Sequence, residues 1–128
     1  MSYYIAKTVT LSFDDAVAKV KQALAREGFG VLTEIDVKAT LKTKLDVDFS
    51  SYVILGACNP GLAHKALQAE DKIGVLLPCN VIIREAKTGA IEVATVDPVA
   101  SMSAVDNPAL ENLAGAVKEK LRRVIHAL

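Results

Sequence analysis

Tryptophan is absent from this chain, aromatic residues make up 5% of it, and cysteine, histidine and methionine occur only twice each. Each scarcity closes off a class of protein. Two cysteines and two histidines, His64 and His126, are a poor source of the four ligands of a structural zinc or copper site, so no metal is expected. Twenty residues also separate the cysteines, unlike the Cys-x-x-Cys spacing of redox and zinc motifs. Net charge is lacking too, with fifteen basic residues against fifteen acidic ones, so no overall field draws the chain to nucleic acid or an anionic membrane, and neither partner is expected. The basic cluster Lys118, Lys120, Arg122 and Arg123 has no aromatic residues interleaved, which suits a dipole-matched helix end better than a nucleic-acid patch.

No export signal opens the sequence, and no apolar run approaches the roughly 18 residues of a membrane span. The chain is therefore read as cytoplasmic, where two cysteines stay as thiols. The seven glycines are scattered, and Gly28-Phe29-Gly30 follows a helix where a dinucleotide loop requires a strand. With no nucleophile elbow and no Ser/His/Asp spacing, neither a cofactor nor a catalytic set is assigned, and enzymatic activity is left open.

What is present is apolar content, 52% of 128 residues, enough to bury the core of one domain spanning residues 1–128. Alternation over Tyr3 to Leu11, broken by Lys7, predicts a strand. Ser12 followed by Phe13-Asp14-Asp15 caps a helix that carries Val17, Val20 and Leu24 on one face and stops at Gly28. From Val31 onward periods of two and 3.6 overlap. Length and the capping Asp36 select a strand at 30–35 and a helix at 37–46 over one long bent hairpin. Ser51 to Cys58 is an apolar strand. Asn59-Pro60 then starts a helix running to about Ala69, with His64 on its wet side. Ile73–Leu77 and Val81–Ala86 are expected strands separated by Pro78, and Lys87-Thr88-Gly89 turns into a strand ending at Val96. Asp97-Pro98 stops that strand, Val99–Val105 is a loop, and Asn107-Pro108 opens a final helix striped by Leu110, Leu113, Val117, Leu121 and Val124. This order suits an α+β fold with a mostly antiparallel sheet packed against helices; a doubly wound parallel sheet is the alternative.

The candidate site is the doubled Cys-Asn. Two of the four asparagines directly follow the only two cysteines, as Cys58-Asn59 and Cys79-Asn80, each at the end of an apolar run. Cys58 precedes a helix start, where unpaired N–H groups favour thiolate; the competing reading is a small buried residue closing a strand. Cys79 would join it only if the two segments lie side by side. Asn59 has an obvious capping role and Asn80 has none. Asp36 and Asp97 are cap and turn residues first and ligand-binding carboxylates second.

The ordered set Gly28-Phe29-Gly30, Glu34-Ile35-Asp36, Gly56-Ala57-Cys58-Asn59-Pro60, Leu76-Leu77-Pro78-Cys79-Asn80 and Val96-Asp97-Pro98 resembles the domain-of-unknown-function 302 family over nearly the whole chain. The resemblance implies a compact α+β domain with a curved antiparallel sheet of about five strands, similar to the TATA-box-binding-protein-like fold, and a homodimer. Asp36, Asn59, Pro60, Pro78, Asp97 and Pro98 match the family pattern, while Cys58 and Cys79 match only some branches. Val37 stands where many members carry histidine after the aspartate. The reading that emerges is a non-catalytic, homo-oligomeric binding or regulatory module for a small molecule, its pocket lined by Cys58, Asn59, Cys79 and Asn80. The alternative is a thiol-dependent redox or soft-metal protein using Cys58 and Cys79.

Overall fold

The computed structural model describes residues 2–128. Five strands form one open sheet, β1 (Tyr4–Val9), β2 (Gly30–Asp36), β3 (Tyr52–Cys58), β4 (Cys79–Glu85) and β5 (Ile91–Val96). They are ordered β1-β5-β4-β3-β2, and every neighbouring pair is antiparallel, which excludes the doubly wound alternative. The helices are α1 (Phe13–Arg26), α2 (Val37–Leu45), α3 (Pro60–Ala69), α4 (Pro98–Ser101) and α5 (Pro108–His126). None among the described residues is long and apolar enough to cross a membrane.

Period-two alternation decides which face each strand residue joins. Val9 on β1, Val53, Leu55 and Ala57 on β3, Cys79, Val81 and Ile83 on β4, and Ile91 and Val93 on β5 point to one side. There they meet Val20 and Leu24 of α1 and Leu121, Val124 and Ile125 of α5. Leu24, Leu55, Val81, Ile83, Val93 and Leu121 are fully buried, each contributing about 1.5–3 kcal/mol of transfer free energy. Lys7, the charged break in the β1 pattern, faces inward and donates to the Leu128 carbonyl at the end of α5. A smaller cluster of Ala66, Ile73 and Leu110 ties α3 to α5.

Each main helix begins as its cap residue dictates. Ser12 accepts from the Asp15 N–H, Asp36 from Ala39, Asn59 from Leu62 and Asn107 from Ala109. Gly28, at φ +83°, takes the left-handed turn that ends α1.

Two sequence expectations fail here. Ile73–Leu77 is not a strand: Ile73–Leu76 is a 3₁₀ turn closed by i→i+3 bonds, such as Leu77 N–H to the Gly74 carbonyl. β4 already has β3 and β5 on its two sides, so the segment leading into it finds no free ladder beside β4, and Ile73 is buried while Val75 is 85% exposed. The Val99–Val105 stretch is not all loop either. Asp97-Pro98 repeats the cap-plus-proline signal of Asn59-Pro60 and Asn107-Pro108 and starts the short helix α4.

Candidate functional site

The chain leaves β3 at Cys58, turns through Asn59 into α3, and returns through the 3₁₀ turn and Pro78 to begin β4 at Cys79. Ala57 faces Cys79 across the ladder, so the two cysteines occupy neighbouring positions on adjacent strands. Strict alternation would turn Cys58 to the opposite face. β3 ends at that residue, however, and both cysteines line one cavity of about 290 Å³ between the sheet end, α3 and α5.

The cavity wall is almost entirely hydrocarbon, with Phe29, Leu62, Ala66, Leu113 and Val117 prominent among its residues. Its polar groups are the two thiols and Asn59. Cys58 is half-buried and Cys79 is 8% exposed. Burial, with the Cys58 sulfur beside it, pushes the Cys79 thiol up to about 11, so it is neutral at physiological pH. The Asn59 amide is engaged at both ends: its Oδ1 accepts from Leu62 N–H at 3.2 Å and its Nδ2 approaches the Glu27 carbonyl at 3.5 Å. It therefore fixes the start of α3 against the end of α1 and braces the cavity.

The other candidates lie elsewhere. Asn80 is exposed on the opposite face of the sheet, because one step along a strand reverses the side-chain direction, and it lines a different cavity. The expected four-residue pocket is thus three residues plus an outlier. Asp36 caps α2 at the surface, its Oδ1 2.9 Å from Ala39 N–H, and lines neither cavity. Asp97 is buried and fully used. Its Oδ1 accepts from Val99 and Ala100 N–H at 2.9 and 3.3 Å, and Oδ2 lies 3.0 Å from Lys118 Nζ. Burial opposes its charge, but the Lys118 ammonium and the α4 amides outweigh burial and hold the carboxyl below its ordinary range.

His64 and His126 are both exposed, and no group of three or more metal-ligating side chains occurs among the described residues. The α5 wall was the part that sequence reasoning missed. Leu110, Leu113 and Val117 were visible as a helical stripe, but a stripe does not reveal which of its residues the neighbouring helix leaves uncovered.

A family model described as domain of unknown function DUF302 matches residues 5–128. The fold is similar to the crystal structure of an uncharacterized conserved DUF302 protein from Bacillus stearothermophilus, with a TM-score of 0.92, 25% identity and 98% of each chain covered. No curated protein matches the chain.

Proposed function

This chain belongs to the DUF302 family, and from that premise we propose that it is a binding module that takes up a small, mainly apolar molecule in the cavity beside Cys58 and Cys79. The observation that carries this reading is the cavity itself: about 290 Å³ of hydrocarbon-lined space opening next to two thiols. Ligand sites are concave, mostly apolar and marked by a few convergent polar groups, as this one is. The experiment is titration with the neutral fluorophore N-phenyl-1-naphthylamine, followed by its emission. Saturable enhancement is expected, weakened at least tenfold by Ala63→Phe, which fills the mouth of the cavity from α3. Absence of saturation, or equal affinity in a folded Ala63→Phe protein, overturns the reading.

The module is proposed to work as a homodimer. The family resemblance implies a dimer, and the long final helix adds nothing to that, because α5 spends its length inside the chain, against α1, α3, α4, β1 and β5. Support comes instead from α2. It has nine residues, none buried, and beside it Leu32, Ile35, Leu45, Val47 and Phe49 are exposed. Helices this short are marginal without tertiary packing. Glu34, Lys42, Asp46 and Asp48 pair within the chain, which leaves Lys38 and Lys44 as charges at the rim of this apolar surface. Sedimentation at micromolar concentration should give a dimer that Leu45→Glu with Phe49→Asp converts to monomer; a monomeric parent protein refutes it.

A second reading is favoured by one observation, the closeness of the two thiols inside one cavity. Oxidation by an azo compound such as diamide would join Cys58 and Cys79 in a disulfide, the two protons and two electrons passing to the azo group to give the hydrazine. A mass loss of two hydrogens in the folded monomer, absent in Cys58→Ser, supports this; unchanged mass rejects it.

A further inference from the structure

We propose a second ligand site, independent of the thiol cavity, on the open face of the sheet: a groove for a flat, multi-ring aromatic molecule bearing hydrogen-bond acceptor oxygens. The groove encloses about 760 Å³. Its floor is set by register. Ala94 and Ile82, cross-strand partners on β5 and β4, form the apolar floor, in a row that Ala6 on β1 and Ile54 on β3 continue to either side of the groove. Tyr4 and Asn80 stand at one end, and Tyr52, Arg84 and Glu92 at the other. Asn80 and Arg84 are four residues apart on one strand, so the polar ends are separated by about 13 Å. That length suits two or three fused rings.

The walls are aromatic. All three tyrosines of the chain, Tyr3, Tyr4 and Tyr52, line this groove, although the protein is poor in aromatic residues. Tyr3 and Tyr4 meet edge to face with ring centroids 5.0 Å apart, which leaves ring surface for a flat ligand to stack on. Among the described residues, no hydrogen bond ties any of the three hydroxyls, or the Asn80 amide, to the protein. Arg84 meets Glu92 through Nε at 2.9 Å, so the pair is charge-neutral while the planar Nη fork remains for an incoming oxygen. The Arg84 fork, the Asn80 amide and the tyrosine hydroxyls supply donors around an apolar floor. The complementary molecule is a flat ring system whose carbonyl, carboxylate or similar oxygens reach the two ends, and Asn80, which has no structural duty, is one of the donors that meet them.

The test exploits the composition. With no tryptophan, intrinsic emission comes from these three tyrosines alone, and therefore from this groove. Riboflavin is the probe, a three-ring system with carbonyl oxygens, read both by quenching of tyrosine emission and by its own fluorescence anisotropy. Saturable one-site binding with a Kd below about 1 mM is expected. Arg84→Met and Tyr52→Leu should each weaken it at least tenfold while Ala63→Phe, in the thiol cavity, leaves it unchanged. Arg84→Lys, which keeps charge but loses the fork, should fall between. No saturation overturns the site, as does unchanged affinity in Arg84→Met and Tyr52→Leu proteins whose circular dichroism matches the parent. Loss of binding in Ala63→Phe overturns it as well, because the probe would then sit in the other cavity. Should Arg84→Met fail to fold, the Tyr52→Leu result decides alone.

Discussion

The Cys79 thiol offers the sharpest quantitative test of the site geometry. Burial and the neighbouring Cys58 sulfur push it up to about 11 from an ordinary value of 9.0. At pH 8 an ordinary thiol is about a tenth ionised and Cys79 about one part in a thousand, a deficit of roughly ninetyfold in thiolate. A more basic thiolate is also a better nucleophile. With a Brønsted slope of about 0.45 over about two pH units, roughly eightfold returns. The population effect wins, and Cys79 should react on the order of tenfold slower than the same thiol in the unfolded chain before its buried position slows it further. The assay is stopped-flow reaction with 5,5′-dithiobis(2-nitrobenzoate) at pH 8 on Cys58→Ser, where burial, the larger cause, alone raises the thiol, with the urea-unfolded protein as reference. The rate should climb about tenfold per pH unit above pH 9. Stability supplies an independent check of the same shift. The folded state keeps a proton that the unfolded state gives up, so the stabilisation is intact below about pH 9 and is lost as pH rises towards 11, up to about 3 kcal/mol. Urea unfolding of Cys79→Val should lack that part of the alkaline decline. A Cys79 thiol in folded Cys58→Ser that reacts within threefold of the same thiol in the urea-unfolded protein at pH 8 would refute the assignment of this sulfur to an apolar cavity.

Gly56 is fixed by contact: a β-carbon there would lie 2.2 Å from Thr33 Oγ1 and 2.9 Å from Pro78 Cγ. Gly56→Ala should therefore cost about 1–3 kcal/mol in urea unfolding, and Thr33→Ala in the same chain should recover part of it. Asp97 has a depressed carboxyl, so its contribution is present above about pH 4, where the unfolded chain ionises, and is lost as pH falls through the lower folded value. Asp97→Ala should cost about 1–2 kcal/mol at pH 7, shrinking towards pH 2, and Lys118→Met should flatten the same acid limb; equal costs at pH 7 and pH 2 would show that the charge contributes nothing.

Much of the architecture was legible because local signals agreed with one another. Ser12, Asp36, Asn59 and Asn107 carry cap signals and are caps, and the order of strands and helices points to the antiparallel sheet that forms. Failures came where a local signal had two meanings. Asp97-Pro98 stops a strand and starts a helix at once, and only the stop was read. Ile73-Gly74-Val75-Leu76-Leu77 is apolar enough for a strand, but whether it becomes one depends on a free ladder beside β4, a property of the whole sheet that no window of sequence contains. The Tyr3/Tyr4/Tyr52 groove was invisible for the same reason: its walls converge from β1 and β3, two strands apart from each other across β5 and β4.

The doubled Cys-Asn shows how a correct observation can be assembled wrongly. Reading Cys58-Asn59 and Cys79-Asn80 as one site assumed that residues adjacent in sequence border the same cavity. That holds for the first pair, because Cys58 ends its strand and Asn59 turns into α3, so both border the thiol cavity. It fails for the second pair, because Cys79 and Asn80 lie within β4, where a period of two sends them to opposite sides of the sheet. The burial record follows the same rule, with Cys79 buried, Asn80 exposed and Val81 buried. A single strand start thus supplies a wall residue to each of two cavities, and Leu77 and Pro78 just before it border both. The repeat in the sequence therefore marks the strand ends where α3 leaves the sheet and β4 enters it, and the two asparagines hold different positions in the fold: one pins a helix, and the other faces open space with its amide free.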